Sequence, residues 1–281
     1  LKKVWFITGA SRGFGLALSK ELIRRGYPVV ATARRVERVS SLAEGNDQVL
    51  ALSLDVTVKQ QVRSALQAAV DRFGRIDVIV NNAGFGYFGA IEEADEAAVR
   101  QLFETNFWGL SDVTRAALPI FRKQKSGHFI NISSIAGIAA SPALGYYNAT
   151  KFAVEGFSQA LAQEVAPLGI KVTLVEPGPF RTDWAGRSAP EREVKIADYA
   201  TTAEKKLQQL RNISGKQPGS PDLAAKAMIK AVESENSPLH LPLGKGTVPR
   251  ALEQMEKTGR QLKQWQDVSA HVDFGDEAYW E

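Results

Sequence analysis

Thr8-Gly9-Ala10-Ser11-Arg12-Gly13-Phe14-Gly15 follows directly on the short run Lys3-Val4-Trp5-Phe6-Ile7 and leads into a periodic segment, Leu16, Leu18, Leu22 and Ile23, that runs to Arg25. The order is strand, glycine-rich turn, helix. Glycine lets a backbone come close to a phosphate, and the first turn of a helix offers unpaired N–H groups to an anion. The spacing is Gly-x-x-x-Gly-x-Gly rather than the usual Gly-x-Gly-x-x-Gly of a dinucleotide turn. The strand before and the helix after still place it where a parallel α/β sheet receives a phosphate.

Outward from this turn the alternation continues. A second strand, Val29 to Ala33, ends in Arg34-Arg35. Dinucleotide folds often carry an acid near this point to hold ribose hydroxyls, and here Ala33 is followed by arginine. A guanidinium can pair with a 2′-phosphate, and Arg12 in the glycine turn can supply a second charge. Arg35 is expected to point away from Arg34 if strand geometry persists. A third strand, Val49 to Leu54, closes on Asp55-Val56, and a helix follows from about Val58 to Phe73. The run Asp77 to Val80 then meets Asn81-Asn82-Ala83-Gly84, whose amides can bond neighbouring strand ends while Ala83 and Gly84 leave room for a ligand.

Further along, Tyr146-Tyr147-Asn148-Ala149-Thr150-Lys151 sets a phenol and an ammonium four residues apart. On a helix they share a face. A free tyrosine titrates near about 10, and a fixed positive charge beside it is expected to lower that value toward working range.

Taken in order, Thr8 to Gly15, Asp55, Asn81 to Gly84, Asn106, Ser133-Ser134, Tyr147 to Lys151 and Pro177-Gly178 resemble the short-chain dehydrogenase/reductases, across roughly residues 3 to 184 and more loosely to about 243. The resemblance implies a doubly wound, Rossmann-type, mostly parallel sheet with helices on both faces in a single domain. It implies Ser134 as the serine that bonds the substrate oxygen, with Ser133 as the alternative. Tyr147 would be the acid for reduction or the base for oxidation, and Lys151 would hold ribose hydroxyls and lower the phenol pKa. Asn106 would hold a water in the proton relay to Lys151. Gly9, Ser11, Arg12, Gly13, Phe14 and Gly15 would surround the pyrophosphate and adenosine end, with Arg34 at the 2′-phosphate. Asp55 and Val56 would flank adenine, Asn82, Ala83 and Gly84 the middle of the cofactor, and Tyr147 and Lys151 its nicotinamide ribose. Pro177, Gly178, Phe180 and Thr182 would meet the nicotinamide.

The implied activity is NADPH-dependent reduction of a ketone or aldehyde, reversible as an alcohol dehydrogenase. The alternatives are oxidation of a lipid, steroid or sugar hydroxyl, and a dinucleotide-sensing protein without turnover. Phe85, Ile135, Tyr146 and Trp184 are candidates to line an apolar substrate site, beside Tyr87 and Phe88.

The chain has 281 residues, no low-complexity tract and no repeat. Residues 1–246 are expected to form a dinucleotide-binding catalytic domain with a substrate lid at about 185–220, and 247–281 a C-terminal extension. The lid region is helical in pattern from Ala203 to Arg211. In the extension, Arg250 to Asp267 reads as helix, while Phe274 to Glu281 is open between lid, partner surface and disordered end. Zero cysteines exclude disulfides and fit a cytoplasmic protein. No apolar run reaches a membrane span, and no signal peptide is visible. The net charge of +4 is spread along the chain, which speaks against nucleic-acid binding. His128, His240 and His271 are the three histidines; they lack ligand spacing, so no metal site is expected. Apolar residues in excess of one stripe over 108–121 and 152–165, including Phe152, Val154 and Phe157, point to a homo-oligomer, dimer or tetramer; the alternative is a monomer whose tail covers those faces.

Overall fold

The computed structural model describes residues 2–182, 184 and 195–281. Runs rich in Val, Ile, Leu and Phe without polar alternation suit strands buried on both faces. Seven such strands form one sheet: β1 Trp5–Ile7, β2 Val29–Ala33, β3 Val49–Ser53, β4 Val78–Asn81, β5 Gly127–Ile132, β6 Ile170–Pro177 and β7 His240–Leu243. Their order is β3-β2-β1-β4-β5-β6-β7, and every pairing is parallel.

Alternate strand residues feed two cores. Trp5, Ile7, Val29 and Ala31 face α1 (Gly13–Arg24) and α7 (Pro221–Glu233), where they meet Leu18, Leu22, Met228 and Ile229. Phe6, Val30, Ile79 and Phe129 face α2 (Lys59–Phe73), α4 (Leu110–Gln124) and α5 (Gly145–Val165), where Leu66, Phe121 and Leu161 cover them. Each fully buried side chain of this size contributes about 1.5–3 kcal/mol. A buried polar line also crosses from β4 to α5. Asn81 Nδ2 donates to Asn131 Oδ1 at 2.9 Å and to Thr114 Oγ1 at 3.2 Å, and Asn131 Nδ2 donates to Ser158 Oγ at 2.8 Å.

The central strand β1 pairs with β2 on one side and β4 on the other, so the chain reverses its direction of travel across the sheet there. The crevice beyond the carboxyl ends of these strands is where such sheets bind ligands. The glycine turn follows β1, and Asn82 to Gly84 follow β4, so both enter this crevice.

Most expected elements form with small shifts. Strand β2 spans Val29–Ala33 as read, and α1 starts at Gly13 rather than Leu16. The helical pattern near Ala203 resolves into a π-helical turn, Ala200–Glu204, continuing as α6, Lys205–Ile213. Helix α3, Glu96–Phe103, runs through a π-helical segment, Glu104–Gly109, into α4.

Helix α8 runs Thr247–Gln264, and α9, Gln266–Ala270, follows it. Ala251 of α8 packs on Ile135 and Ala139. Beyond α9 the chain folds back: Tyr279 stacks on His271 with ring centroids 4.0 Å apart and donates to Asp267 Oδ2 at 2.7 Å. The tail leaves Trp108 and Phe152 uncovered, at 51% and 47% exposure. Val154 is buried with Leu110 and Leu174, and Phe157 packs on Phe107, so of the three residues singled out on α5 only Phe152 faces outward.

Candidate active site

One cavity of about 810 Å³ runs along the carboxyl ends of the strands, from Arg34 and Arg38 at one end to Trp184 and Leu210 at the other. The local backbone explains its floor. Gly13 opens α1 with φ +54°, a left-handed conformation that a side chain would strain. At Gly15 a Cβ would lie 2.5 Å from Gly9 O and 2.6 Å from Asn82 Nδ2. Gly15 thus lets α1 sit tightly on its own turn and is not itself on the cavity wall, whereas Gly9, Ser11, Arg12, Gly13 and Phe14 are. Asn82 fastens the turn to β4 by donating to Thr8 O and Gly9 O, both at 2.9 Å.

At the basic end, Ala33, Arg34, Arg35 and Arg38 line the wall with Arg12 nearby. Arg35 does not point away as strand alternation predicts, because β2 stops at Ala33 and the next two residues bend. Arg38 was not foreseen; it lies in the single helical turn Val36–Arg38, which short-range pattern does not reveal. None of the four guanidinium groups has a carboxylate partner among the described residues. The nearby acid, Asp55, accepts instead from the Thr57 backbone N at 3.0 Å and the Thr57 hydroxyl at 2.7 Å. Asp55, Val56, Asn82, Ala83 and Gly84 line the middle of the cavity.

At the other end, Ser134, Tyr147 and Lys151 converge with Pro177, Gly178, Phe180 and Thr182. Helix α5 supplies Tyr147 and Lys151 one turn apart. Ser134 lies just past the end of β5 and caps the turn Ile135–Gly137 by accepting from Ala136 N at 3.1 Å. Lys151 Nζ donates to Ile132 O at 2.7 Å and sits 5.7 Å from the Tyr147 ring centroid.

The electrostatics differ from the expectation drawn from the Tyr-Lys spacing. Burial pushes the Tyr147 phenol well above its usual range, opposed only by its hydrogen bond with Ser134. Burial also pulls Lys151 down to about 8, with Glu155 acting the other way. Desolvation thus dominates at the phenol, and Tyr147 is held protonated.

Asn106 lies in the π-helical segment, buried behind the wall. Its Oδ1 accepts from Phe85 N at 3.0 Å, and its Nδ2 donates to Phe85 O at 2.9 Å and Thr150 Oγ1 at 3.2 Å. Its amide is therefore committed to clamping the Phe85 loop to α5, and Asn106 stands behind the cavity wall rather than on it. Of the four substrate-side candidates, Phe85 and Trp184 line the cavity. Trp184 leans over Tyr147 with ring centroids 5.0 Å apart. Ile135 does not reach the cavity; it is buried against Ala139 and Ala251 beneath α8. Tyr146, one step around α5 from Tyr147, turns instead into a separate groove with Glu96, Phe103 and Trp108. Leu210 and Ile213 of α6 and Gln217 complete the wall, which gives the region after residue 203 its place beside the site. Residues 185–194 of the expected lid lie outside the described residues.

The sequence matches the family described as short chain dehydrogenase over residues 3–193. It is 40% identical over 271 residues to the oxidoreductase BOA17 of Botryotinia fuckeliana, covering 96% of this chain and 98% of that one. It is 39% identical over 245 residues to a 3-ketodihydrosphingosine reductase of Bacteroides thetaiotaomicron, covering 86% and 88%. The crystal structure of a short-chain dehydrogenase from Streptomyces avermitilis superposes with TM-score 0.89 at 40% identity, over 96% of this chain and all (100%) of that one. ElxO with NADP bound has TM-score 0.73 at 28% identity (89% and 100% covered), and a Brucella melitensis 3-ketoacyl-(acyl-carrier-protein) reductase complexed with NADH has 0.74 at 27% (87% and 98%). With the fold, the glycine turn and the Ser-Tyr-Lys convergence in agreement, the chain belongs to the short-chain dehydrogenase family of oxidoreductases.

Proposed function

We propose that this protein is an NADPH-dependent carbonyl reductase acting on an apolar ketone or aldehyde. The observation that carries the reading is a single cavity with a protonated phenol at one end and four arginines at the other.

The residues fit a dinucleotide phosphate. The start of α1 presents its free N–H groups to the pyrophosphate, and the left-handed Gly13 keeps that approach open. Arg12, Arg34, Arg35 and Arg38 suit a 2′-phosphate, and no carboxylate replaces them at the end of β2. When bound, the nicotinamide supplies the hydride. The chain itself holds the substrate oxygen: Ser134 and Tyr147 donate to it, and Tyr147 delivers its proton. Lys151, kept by Ile132 O, stands where it can bond ribose hydroxyls and stabilise the phenolate left behind.

Phe85, Trp184, Leu210 and Ile213 form the substrate wall, and such a surface suits an apolar carbonyl compound. The ketone substrate named for the Bacteroides relative is consistent with this. Residues 1–246 act as the catalytic domain, with α6 as part of the cover over substrate and 247–281 as an added extension. Trp108 and Phe152 supply the exposed apolar surface for a homo-oligomer. Among the described residues no helix is long and apolar enough to cross a membrane, and a cytoplasmic location fits the absence of cysteine.

Purified protein assayed with NADPH against a panel of aryl, alkyl and charged carbonyl compounds tests the reading. Turnover of apolar ketones is the expected result. Faster reduction of small charged keto acids would overturn the substrate class. Tight NADPH binding without turnover on any carbonyl would point to a sensor.

A further inference from the structure

Two carboxylates meet beneath the catalytic residues with no part in the chemistry above. Glu155 lies one turn beyond Lys151 on α5, and Glu176 on β6 immediately precedes Pro177-Gly178. They are 5% and 1% exposed. Both carboxylate oxygens of Glu155 and Oε2 of Glu176 have no hydrogen-bond partner. His240, at the start of the edge strand β7, closes the group: its Nδ1 is 2.5 Å from Glu176 Oε1 and 3.8 Å from Glu155 Oε2. One donor atom from each of the three residues lies within 4.8 Å of the others. A fourth polar group points here. The Ser133 hydroxyl is buried without a partner, and a Cβ built on Gly137 would touch both it, at 2.9 Å, and Glu155 Cγ, at 3.0 Å.

Buried carboxylates without donors are costly unless a cation or protons neutralise them. A single imidazole brings at most one charge, against two when both carboxylates are ionised. We infer that Glu155, Glu176 and His240 bind one divalent first-row cation, zinc by preference, as a site separate from the catalytic cavity.

The chemistry of the donors supports this choice. Two carboxylate oxygens and one imidazole nitrogen suit a borderline cation; metal–ligand distances of about 2.0–2.2 Å set neighbouring donors roughly 3.4 Å apart, so donors now within 4.8 Å must draw together while the 2.5 Å Nδ1–Oε1 pair opens. Glu176 would turn its unpartnered Oε2 to the ion, freeing Nδ1 of His240 from its bond with Oε1. The His240 side chain is 43% exposed, so the ion has an entry path from the sheet edge, and water can fill the remaining positions. The expectation of no metal ligation rested on histidine spacing. The fold joins one histidine to two acids from other elements, which spacing does not show. A bound ion would tie β7 to β6 and to α5, stiffening the floor under Lys151 and Pro177.

The test uses the full chain stripped by chelator and titrated with zinc and with manganese in a calorimeter, plus cobalt as a visible-light probe. The expected result is one equivalent of zinc bound, a raised melting temperature, and a cobalt spectrum of low coordination number. His240→Ala should weaken zinc binding by at least about tenfold. His271→Ala, at a half-buried histidine of the C-terminal tail, should leave it unchanged. The cobalt spectrum of the unmodified chain does not depend on any variant folding. Absence of binding at millimolar zinc would overturn the proposal, and a His240 imidazole then found protonated at neutral pH by NMR would identify the imidazolium as the counter-ion. Zinc binding undiminished in His240→Ala would overturn it equally.

Discussion

Replacing Arg34 by alanine removes one of four guanidinium groups grouped around the basic end of the cavity. Charge-assisted hydrogen bonds to a phosphate contribute about 1.5–3 kcal/mol, which corresponds to roughly 10- to 150-fold in affinity. Arg12, Arg35 and Arg38 remain and can close around the same phosphate, so the effect should fall near the tenfold end. The 2′-phosphate distinguishes the two cofactors, so the NADPH Michaelis constant should rise while the NADH constant stays nearly fixed. Ala33→Asp acts on the same end by another route. Its carboxylate repels the phosphate, recruits the neighbouring arginines, and offers an acceptor to ribose hydroxyls. Steady-state kinetics with each cofactor, supported by inhibition with 2′-phosphoadenosine compounds, reads both effects. The reasoning fails if the unmodified protein uses NADPH and NADH equally, or if Arg34→Ala shifts both constants together.

Tyr147→Phe removes one hydroxyl and little volume, so turnover should fall by about a thousandfold, within the usual range for general acids, while dinucleotide binding by fluorescence is retained. Tyr146→Phe should be nearly silent because Tyr146 faces a separate groove; the reverse pattern would mean the acid has been misassigned. Lys151→Ala should harm both turnover and cofactor binding. Gly127→Ala would set a Cβ 2.2 Å from the Phe121 ring, which is itself packed 4.8 Å from Phe129, so a loss of about 1–3 kcal/mol in urea unfolding is expected. An unchanged denaturation midpoint would contradict that packing. Burial, with Lys171 and Lys3 adding to it, pulls His128 from 6.5 down to about 3. Below its unfolded value the unfolded chain takes up a proton that the folded chain refuses. Stability should therefore fall as pH drops from 6.5 toward 3, by up to about 1.4 kcal/mol per unit. His128→Asn should flatten that slope; an unaltered pH dependence of the melting temperature would count against it.

The glycine turn, Asn81 to Gly84 and the Tyr-Lys pair carried the fold and the cavity because each is a local pattern with one structural use. Val29 to Ala33 could be bounded from sequence since an apolar run stops there at two arginines. The orientation of Arg35 could not, because it depends on whether the strand continues past Ala33. Ile135 and Tyr146 were placed at the site by closeness in sequence, but one residue along α5 turns a side chain by about 100°, enough to move Tyr146 off the wall. The phenol pKa went the other way for a similar reason: the lysine four residues on is visible in sequence, whereas the burial that raises the phenol comes from packing. Glu155, Glu176 and His240 come from three separate elements, and no spacing rule links them.

The amide line from Asn81 through Asn131 to Ser158 bears on how the sheet finds its alignment. Parallel strands built from Val, Ile and Phe look alike to a neighbour after a slide of two residues, because the same faces stay buried. Asn81 pairs with Asn131 in the native alignment; slid by two it would meet Phe129 or Ser133 instead. Each amide orphaned by such a slide would cost about 1–3 kcal/mol in a dry interior. That penalty makes the two asparagines a pin, much as a single buried asparagine fixes the alignment of paired helices. The strand ends that carry Asn82 and Ser133-Ser134 are thereby kept level with each other. A floor assembled from the tips of separate strands needs that levelness before any side chain on it can meet another.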